Sequence, residues 1–595
     1  MMKNNKERAG GIIFMAAATV CIISVVAVFA FLIYRSIPAL SKLGILSFIL
    51  GEDWSPDRTD TYTSALFGSY GILTMIMGTL LASAGALLIG GVIGFFAAVF
   101  LAFYASRRIG RIFIFMIRLL AAIPSVVYGF FGISFLLPLL SLFAPNNGSG
   151  LLATSIILGI MILPTVTSLS LTSMQAVNRA YYDGSVALGA DHSETVFRVM
   201  IPAARSGVVA SLVLGVGRAL GETMAVVMVA GNAPAYPSGL FGSFRVLTAN
   251  IVMEMGYAGE VQEGALIATG TVLLVFILLV NLLFGRLLEK KKKKGYRRSL
   301  MIFRTVRSRF HFLGEKIGVF KLGRAAATVS AAVTGGILVA LVGFIVFKGA
   351  PYLIAHPSLV FGKYEFGSHN ITVLPAVITT LYALLISLIT AIPIGIMTAI
   401  YLNEYSYKLS KVVRLVRFAV DILSGVPSIV YGLFGMITFV RLFGGTSSIL
   451  SGSLTVSIML LPIIVRSVEE SLRAVPDGLR EGSMALGAGK LRTVLRIVLP
   501  SSFSGILSAT ILSMGRVISE SAPFLYTMGS VISSVPRSVF DSGATLSVAL
   551  YQLSGEGWYI NEAYATALIL ILIVFLLNLM LSFAASKLAY KIKGK

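Results

Sequence analysis

Four charged residues stand in stretches of chain that are otherwise apolar. Arg218 and Glu222 belong to the run G-R-A-L-G-E (Gly217 to Glu222), and Arg516 and Glu520 to G-R-V-I-S-E (Gly515 to Glu520). Each arginine follows a proline, Pro202 or Pro500, by 16 residues. On a continuous helix that is about 24 Å of rise, deep in a membrane. A charge at a bilayer centre costs roughly 2.5–3.5 kcal/mol on insertion scales. Arg and Glu four apart share a helix face and partly neutralise each other, so two internal ion pairs that fix helix rotation are one reading. The other is an anion pathway. A guanidinium stays charged at any relevant pH, and its fork matches the oxygens of a tetrahedral oxyanion. The glutamates would then hold the arginines when no anion is present.

Such charges need a membrane-spanning frame, and the composition supplies one. The chain has 595 residues, 57% of them apolar and 12% charged. That excludes a disordered chain and disfavours a soluble multidomain enzyme. The single Cys21 excludes an intrachain disulfide framework, and the four histidines (His192, His311, His356, His369) form no local metal spacing. Runs of roughly 20 apolar residues predict spans near 10–34, 70–104, 113–142, 151–176, 207–230 and 264–288, then 325–349, 372–402, 413–443, 449–473, 504–530 and 563–588. The first follows Lys3, Lys6 and Arg8 and is read as a retained helix. Arg107, Arg108 and Arg111 after the second span, and Lys408, Lys411, Arg414 and Arg417 after the eighth, mark cytoplasmic loops. The loops after spans three and nine carry no charge. Both termini are therefore expected inside.

The chain repeats itself. I-P-S-V-V-Y-G-F-F-G (Ile123 to Gly132) returns as V-P-S-I-V-Y-G-L-F-G (Val426 to Gly435). From M-I-L-P (Met161 to Pro164) and M-L-L-P (Met459 to Pro462) onward, the two copies keep an offset of 298 residues through the charged motifs. The expected fold is all-α: twelve transmembrane helices as two parallel six-helix repeats, with any pathway where the halves meet. The domains are a first half at 1–288, a basic cytoplasmic linker at 289–324 and a second half at 325–595. The linker holds 13 Lys or Arg, including Lys290 to Lys294. It reads as a positive-inside anchor and tether, with an anionic-lipid or regulator site as the alternative. The net charge of +23 thus reports topology, not nucleic-acid binding.

Two further blocks recur. In P-S-[VI]-V-Y-G, Pro124 and Pro427 bend the helix, Gly129 and Gly432 permit close packing, and Ser125, Tyr128, Ser428 and Tyr431 offer hydroxyls for substrate or for packing alone. The loop between spans four and five reads acid–Gly–small–apolar–Ala–Leu–Gly–Ala in both halves: Asp183, Gly184, Ala187, Leu188, Gly189 and Ala190, then Glu481, Gly482, Ala485, Leu486, Gly487 and Ala488. It predicts a short helix with one apolar face, and glycines that let another backbone approach. Such a helix docks a soluble partner or lies on lipid headgroups. No G-x-x-x-x-G-K-[ST] phosphate loop occurs, so ATP-driven work would come from a partner.

This loop resembles the Glu-Ala-Ala coupling loop of ATP-binding cassette (ABC) importer permeases, with D-G-S and E-G-S in place of the literal triplet. Over nearly the whole chain the motifs are similar to the two permeases of the bacterial phosphate-specific transport system, here fused: G-R-A-L-G-E-T-M-A (Gly217 to Ala225) in one half and G-R-V-I-S-E-S-A-P (Gly515 to Pro523) in the other. The resemblance implies a type I, MetI-like permease fold in a bacterial cell membrane and import of inorganic phosphate by alternating access. Arg218, Glu222, Arg516 and, by symmetry, Glu520 would line the pathway. It implies a separate ABC ATPase, expected as a homodimer carrying ATP and Mg, and an extracytoplasmic phosphate-binding protein. The chain itself would be no enzyme and hold no cofactor. One departure is L-P-I-I-V-R-S-V-E-E (Leu461 to Glu470), whose acids are missing from L-P-T-V-T-S-L-S-L-T (Leu163 to Thr172), so an asymmetric gate is expected. An ABC permease for another oxyanion or small solute, and a major-facilitator-type transporter suggested by R-R-I-G-R (Arg107 to Arg111), are the competing readings.

Overall fold

The computed structural model describes residues 2–56, 68–144, 147–293, 318–362, 371–405, 411–532, 534–555, 557 and 559–592. Among them, nine helices are long and apolar enough to cross a membrane, or up to twelve if each of three sharply bent pairs is one span. The first half gives α1 (Met2–Leu43), α2 (Leu73–Phe103), α3 (Arg107–Ala122), α4 (Ser125–Ser141), α5 (Leu151–Gln175), α6 (Arg179–Ala187), α7 (His192–Gly221), α8 (Met224–Val229), α9 (Leu247–Glu254) and α10 (Glu260–Lys293). The second half repeats this order as α11 (Val319–Ala355), α12 (Leu374–Tyr405), α13 (Lys411–Leu423), α14 (Ser428–Val440), α15 (Ile449–Arg473), α16 (Asp477–Ala485), α17 (Lys490–Ser501), α18 (Phe503–Ser519), α19 (Ala522–Thr527), α20 (Leu546–Gly555) and α21 (Ile560–Ile592). A two-stranded hairpin pairs Trp54 with Tyr70.

Spans three and nine are not straight. α3 and α4 meet at 94°, and α13 and α14 at 102°. A proline drives its predecessor out of helical conformation, and Ile123, before Pro124, is extended at ψ 130°. The carbonyls this break strands must find donors. Tyr128 Oη donates to the Leu120 carbonyl at 2.6 Å, and Tyr431 Oη to the Leu423 carbonyl at 2.8 Å.

The chain forms two compact units: residues 1–45, 251–274 and 348–595, and residues 46–250 and 275–347. These packing units cut the chain differently from the repeat. The first helix of each sequential half packs with the body of the other half. In one unit, Phe14 of α1 meets Tyr405 at 5.1 Å and Phe31 meets Phe434 at 5.6 Å between ring centroids. Arg35 pairs with Glu263 at 2.8 Å. In the other, Phe344 of α11 meets Phe135 at 5.2 Å, and Ala327 is fully buried beside Leu171 and Met174. At the centre of each unit stands its most buried span, α5 in one and α15 in the other, each 72% enclosed. Of the expected linker, α10 continues to Lys293 and α11 begins at Val319; residues 294–317, with Lys294 among them, lie outside the described residues.

Candidate translocation site and coupling loops

The sequence predicts a fifth span over 207–230 with its arginine inside a continuous helix. The structure corrects that register. α7 runs from His192 and stops at Gly221, so Arg218 occupies its last turn. Glu222 caps it with extended backbone (φ −73°, ψ 138°), and α8 starts two residues later. The second half does the same: α18 ends at Ser519, Arg516 is in the last turn, and Glu520 is extended (φ −79°, ψ 139°). A cation in the last turn complements the negative end of the helix dipole. The broken backbone is held from outside. Thr248 Oγ1 donates to the Glu222 carbonyl at 2.9 Å, and Ser547 Oγ to the Glu520 carbonyl at 2.5 Å.

Each arginine has a polar partner. Arg516 Nε lies 2.7 Å from Glu520 Oε1, with Glu520 buried. Arg218 Nη1 donates to Thr165 Oγ1 at 3.1 Å, and the repeat places Ile463 at the position of Thr165. Glu222 borders a tight crevice, too small for a water molecule, together with Thr79, Ser83, Leu158 and Val246.

The P-S-[VI]-V-Y-G blocks support these sites from behind. A Cβ on Gly129 would come within 2.5 Å of Met228 Sδ and 3.0 Å of Ala225 Cα, both in α8. A Cβ on Gly432 would meet Pro523 Cα at 3.0 Å, in α19. The glycines therefore seat the short helix that follows each glutamate. Tyr128 and Tyr431 are each 1% exposed, with their hydroxyl protons committed to the bend. Ser125 and Ser428 open α4 and α14 and are half-buried.

The short helices expected between spans four and five form, and likewise between spans ten and eleven, with corrected ends. α6 stops at Ala187 and α16 at Ala485; Leu188 and Leu486 are C-caps, and Ala190 and Ala488 lie beyond the helices. Asp183, Gly184, Glu481 and Gly482 sit on exposed helix surface. Gly189 and Gly487 have φ of +87° and +81°, and an added Cβ would meet nothing within 4 Å. They supply the left-handed residue that ends a helix. Leu188 and Leu486 are each 91% exposed. The loops are tied down by Ser185–Thr195 at 3.0 Å and Ser483–Thr493 at 2.9 Å.

Some anchors were not foreseen. Tyr182 Oη meets His192 Nδ1 at 2.7 Å, while its repeat counterpart Arg480 pairs with Glu404 at 2.9 Å. Glu469 joins Arg417 at 2.9 Å and Arg473 at 2.6 Å, and Arg466 pairs with Asp421. These pairs give Glu469, near the end of span ten, two specific partners, whereas Leu171, at its position in the first half, is packed in an apolar cluster with Ile114. Comparing the repeats position by position would have flagged each of these exchanges.

The family described as "Binding-protein-dependent transport system inner membrane component" matches residues 90–294 and again 391–593. The phosphate transport system permease protein PstA homolog of Mycoplasma pneumoniae is 28% identical over 559 residues, covering 84% of this chain and 83% of that one. The probable ABC transporter permease protein YqgH of Bacillus subtilis is 35% identical over 289 residues, covering 47% of this chain and 91% of that one. PstA of Mycobacterium leprae is 41% identical over 197 residues, or 33% of this chain and 64% of that protein. With the family matched once in each repeat, at the coupling helices and the broken arginine helices alike, the chain belongs to the inner-membrane permease components of binding-protein-dependent transport systems.

Proposed function

We propose that this chain is the permease of an ATP-driven importer of inorganic phosphate, with both halves of the pathway in one polypeptide. The observation that carries the reading is the repeated Arg-x-x-x-Glu at a broken helix end, Arg218 to Glu222 and Arg516 to Glu520. Two relatives that carry the phosphate transport system name support the choice of anion. The arginines receive a tetrahedral oxyanion through paired N–H donors. Glu520, 2.7 Å from Arg516, competes with the anion and keeps its binding weak enough for release. Ser125 and Ser428 are the hydroxyls available to the pathway, and Tyr128 and Tyr431 serve it by bracing the bends.

α6 and α16 seat a separate ATPase homodimer that binds ATP and Mg. Burial of an exposed leucine such as Leu188 or Leu486 contributes roughly 1.5–3 kcal/mol. A phosphate-binding protein delivers the anion on the opposite face, and both chain termini are cytoplasmic in the bacterial membrane. ATP-driven closure draws the coupling helices together and exposes the arginines to the outside; release of the hydrolysis products returns them inward.

Uptake of labelled phosphate, sulfate and molybdate into vesicles holding the chain, its co-purified ATPase and the binding protein tests this. Phosphate uptake that needs ATP and outpaces the other two is expected. Preference for sulfate or molybdate would replace the substrate, and ATP-independent uptake would remove the mechanism.

A further inference from the structure

Beyond the Glu222 break, the first half carries a polar cluster with no repeat counterpart. Asn232 follows Gly231 in a left-handed conformation (φ 62°), which asparagine tolerates better than most residues. Its Nδ2 donates to the Val227 carbonyl at 2.6 Å, and its own carbonyl accepts from Arg245 Nε at 2.8 Å. Arg245 Nη1 donates to Asn250 Oδ1 at 2.9 Å. A carbonyl only accepts and a guanidinium only donates, so both amides are oriented without ambiguity. Two atoms are left buried without a partner: Asn232 Oδ1, an acceptor, and Asn250 Nδ2, a donor. Asn250 is 0% exposed. A buried polar atom left unmatched is costly, so such atoms are expected to have a ligand or water partner.

The fold does not require this cluster. Aligning Leu247 with Leu546 and Thr248 with Ser547 puts Ala544 at Arg245 and Ala549 at Asn250, while Gly231 and Gly529 align Asn232 with Ser530. The second half makes the same approach, with Ser547 holding the Glu520 carbonyl, and uses none of the three. The cluster also stands next to the arginine site: Val246 borders the tight crevice at Glu222, and Thr248 grips the Glu222 carbonyl.

We infer that Arg245, Asn232 and Asn250 form a second oxyanion station, particular to the first half, that takes a protonated tetrahedral anion on its way to Arg218. Arg245 and Asn250 Nδ2 donate to its oxygens. Asn232 Oδ1 accepts the hydroxyl proton that inorganic phosphate carries near neutral pH and sulfate lacks. This deepens the phosphate-importer reading and rests on it. The competing explanation is an ordered water that bridges the two amides in a purely structural cluster.

The test uses the assembled transporter in vesicles, with Asn250→Asp, Asn232→Gly and Arg218→Gln compared with the parent for assembly, thermal stability and uptake of phosphate and sulfate. Asn250→Asp keeps an acceptor for Arg245, so a structural cluster retains its stability and transport. An oxyanion station instead repels its ligand, and phosphate uptake falls at least tenfold in an assembled complex. Asn232→Gly keeps the left-handed backbone but loses the acceptor, so the phosphate-to-sulfate uptake ratio should drop at least threefold. Phosphate uptake within twofold of the parent in Asn250→Asp, or an unchanged ratio in Asn232→Gly, overturns the station. If Asn250→Asp does not assemble, the Asn232→Gly ratio decides alone. Normal uptake in Arg218→Gln would instead remove the importer reading on which the station rests.

Discussion

The hydroxyl of Tyr128 reaches eight residues back to close the carbonyl of Leu120 at 2.6 Å, across a 94° turn of the chain. Tyr431 repeats the bond to Leu423. A buried phenol thus completes the end of one helix from the start of the next. Tyr128→Phe and Tyr431→Phe should each cost about 1–3 kcal/mol by leaving a carbonyl unmatched. The drop should appear as a lower melting temperature of the purified chain. If both variants melt with the parent, the tyrosines are not braces and their hydroxyls become available for substrate.

Arg218→Gln and Arg516→Gln should each abolish phosphate uptake while leaving insertion and ATPase association intact. Glu520→Gln frees Arg516 from its 2.7 Å competitor and should slow release, lowering the maximal uptake rate several-fold without loss of assembly. Unimpaired uptake in both arginine variants would remove them from the pathway.

Two substitutions separate conformation from contact in the coupling loop. Gly189→Ala and Gly487→Ala place a Cβ at positive φ and should cost roughly 1–2 kcal/mol each with little effect on ATPase stimulation per folded complex. Leu188→Asp and Leu486→Asp touch side chains that are 91% exposed, so the chain should stay stable yet lose its ATPase. Retained ATPase binding in the double leucine variant would exclude docking at these ends.

The ion pairs along α13 and α15 should be unequal. Glu469 is 7% exposed and serves both Arg417 and Arg473, so Glu469→Gln should destabilise by about 1–3 kcal/mol. Asp421 and Arg466 are far more exposed, and Asp421→Asn should change stability by less than about 1 kcal/mol. Comparable melting of the two variants would show that burial does not set their worth.

Much of this was legible in the chain because hydrophobic length and internal repetition are one-dimensional signals. The spans, their parallel duplication, the short coupling helices and the paired arginine motifs all follow from them. What escaped depends on where backbone stops. The ends of α7 at Gly221 and of α6 at Ala187 are set by Glu222 leaving helical conformation and by Gly189 turning left-handed, and neither event alters hydropathy. The exchange of first helices escaped for another reason: the apolar surfaces of α1 and α11 carry no label for the half they will pack against. The Arg245 cluster was hidden because a lone arginine between spans reads as a loop residue until its asparagines are placed beside it.

That exchange has a mechanical side. The division between the compact units falls inside helices, among them α9 at Asn250–Ile251, α10 at Leu274–Val275 and α11 at Phe347–Lys348. A loop could absorb displacement of one unit freely. A helix interior yields only by bending or by giving up backbone hydrogen bonds. Any displacement between the units would therefore load these helices as springs rather than being taken up freely by loops.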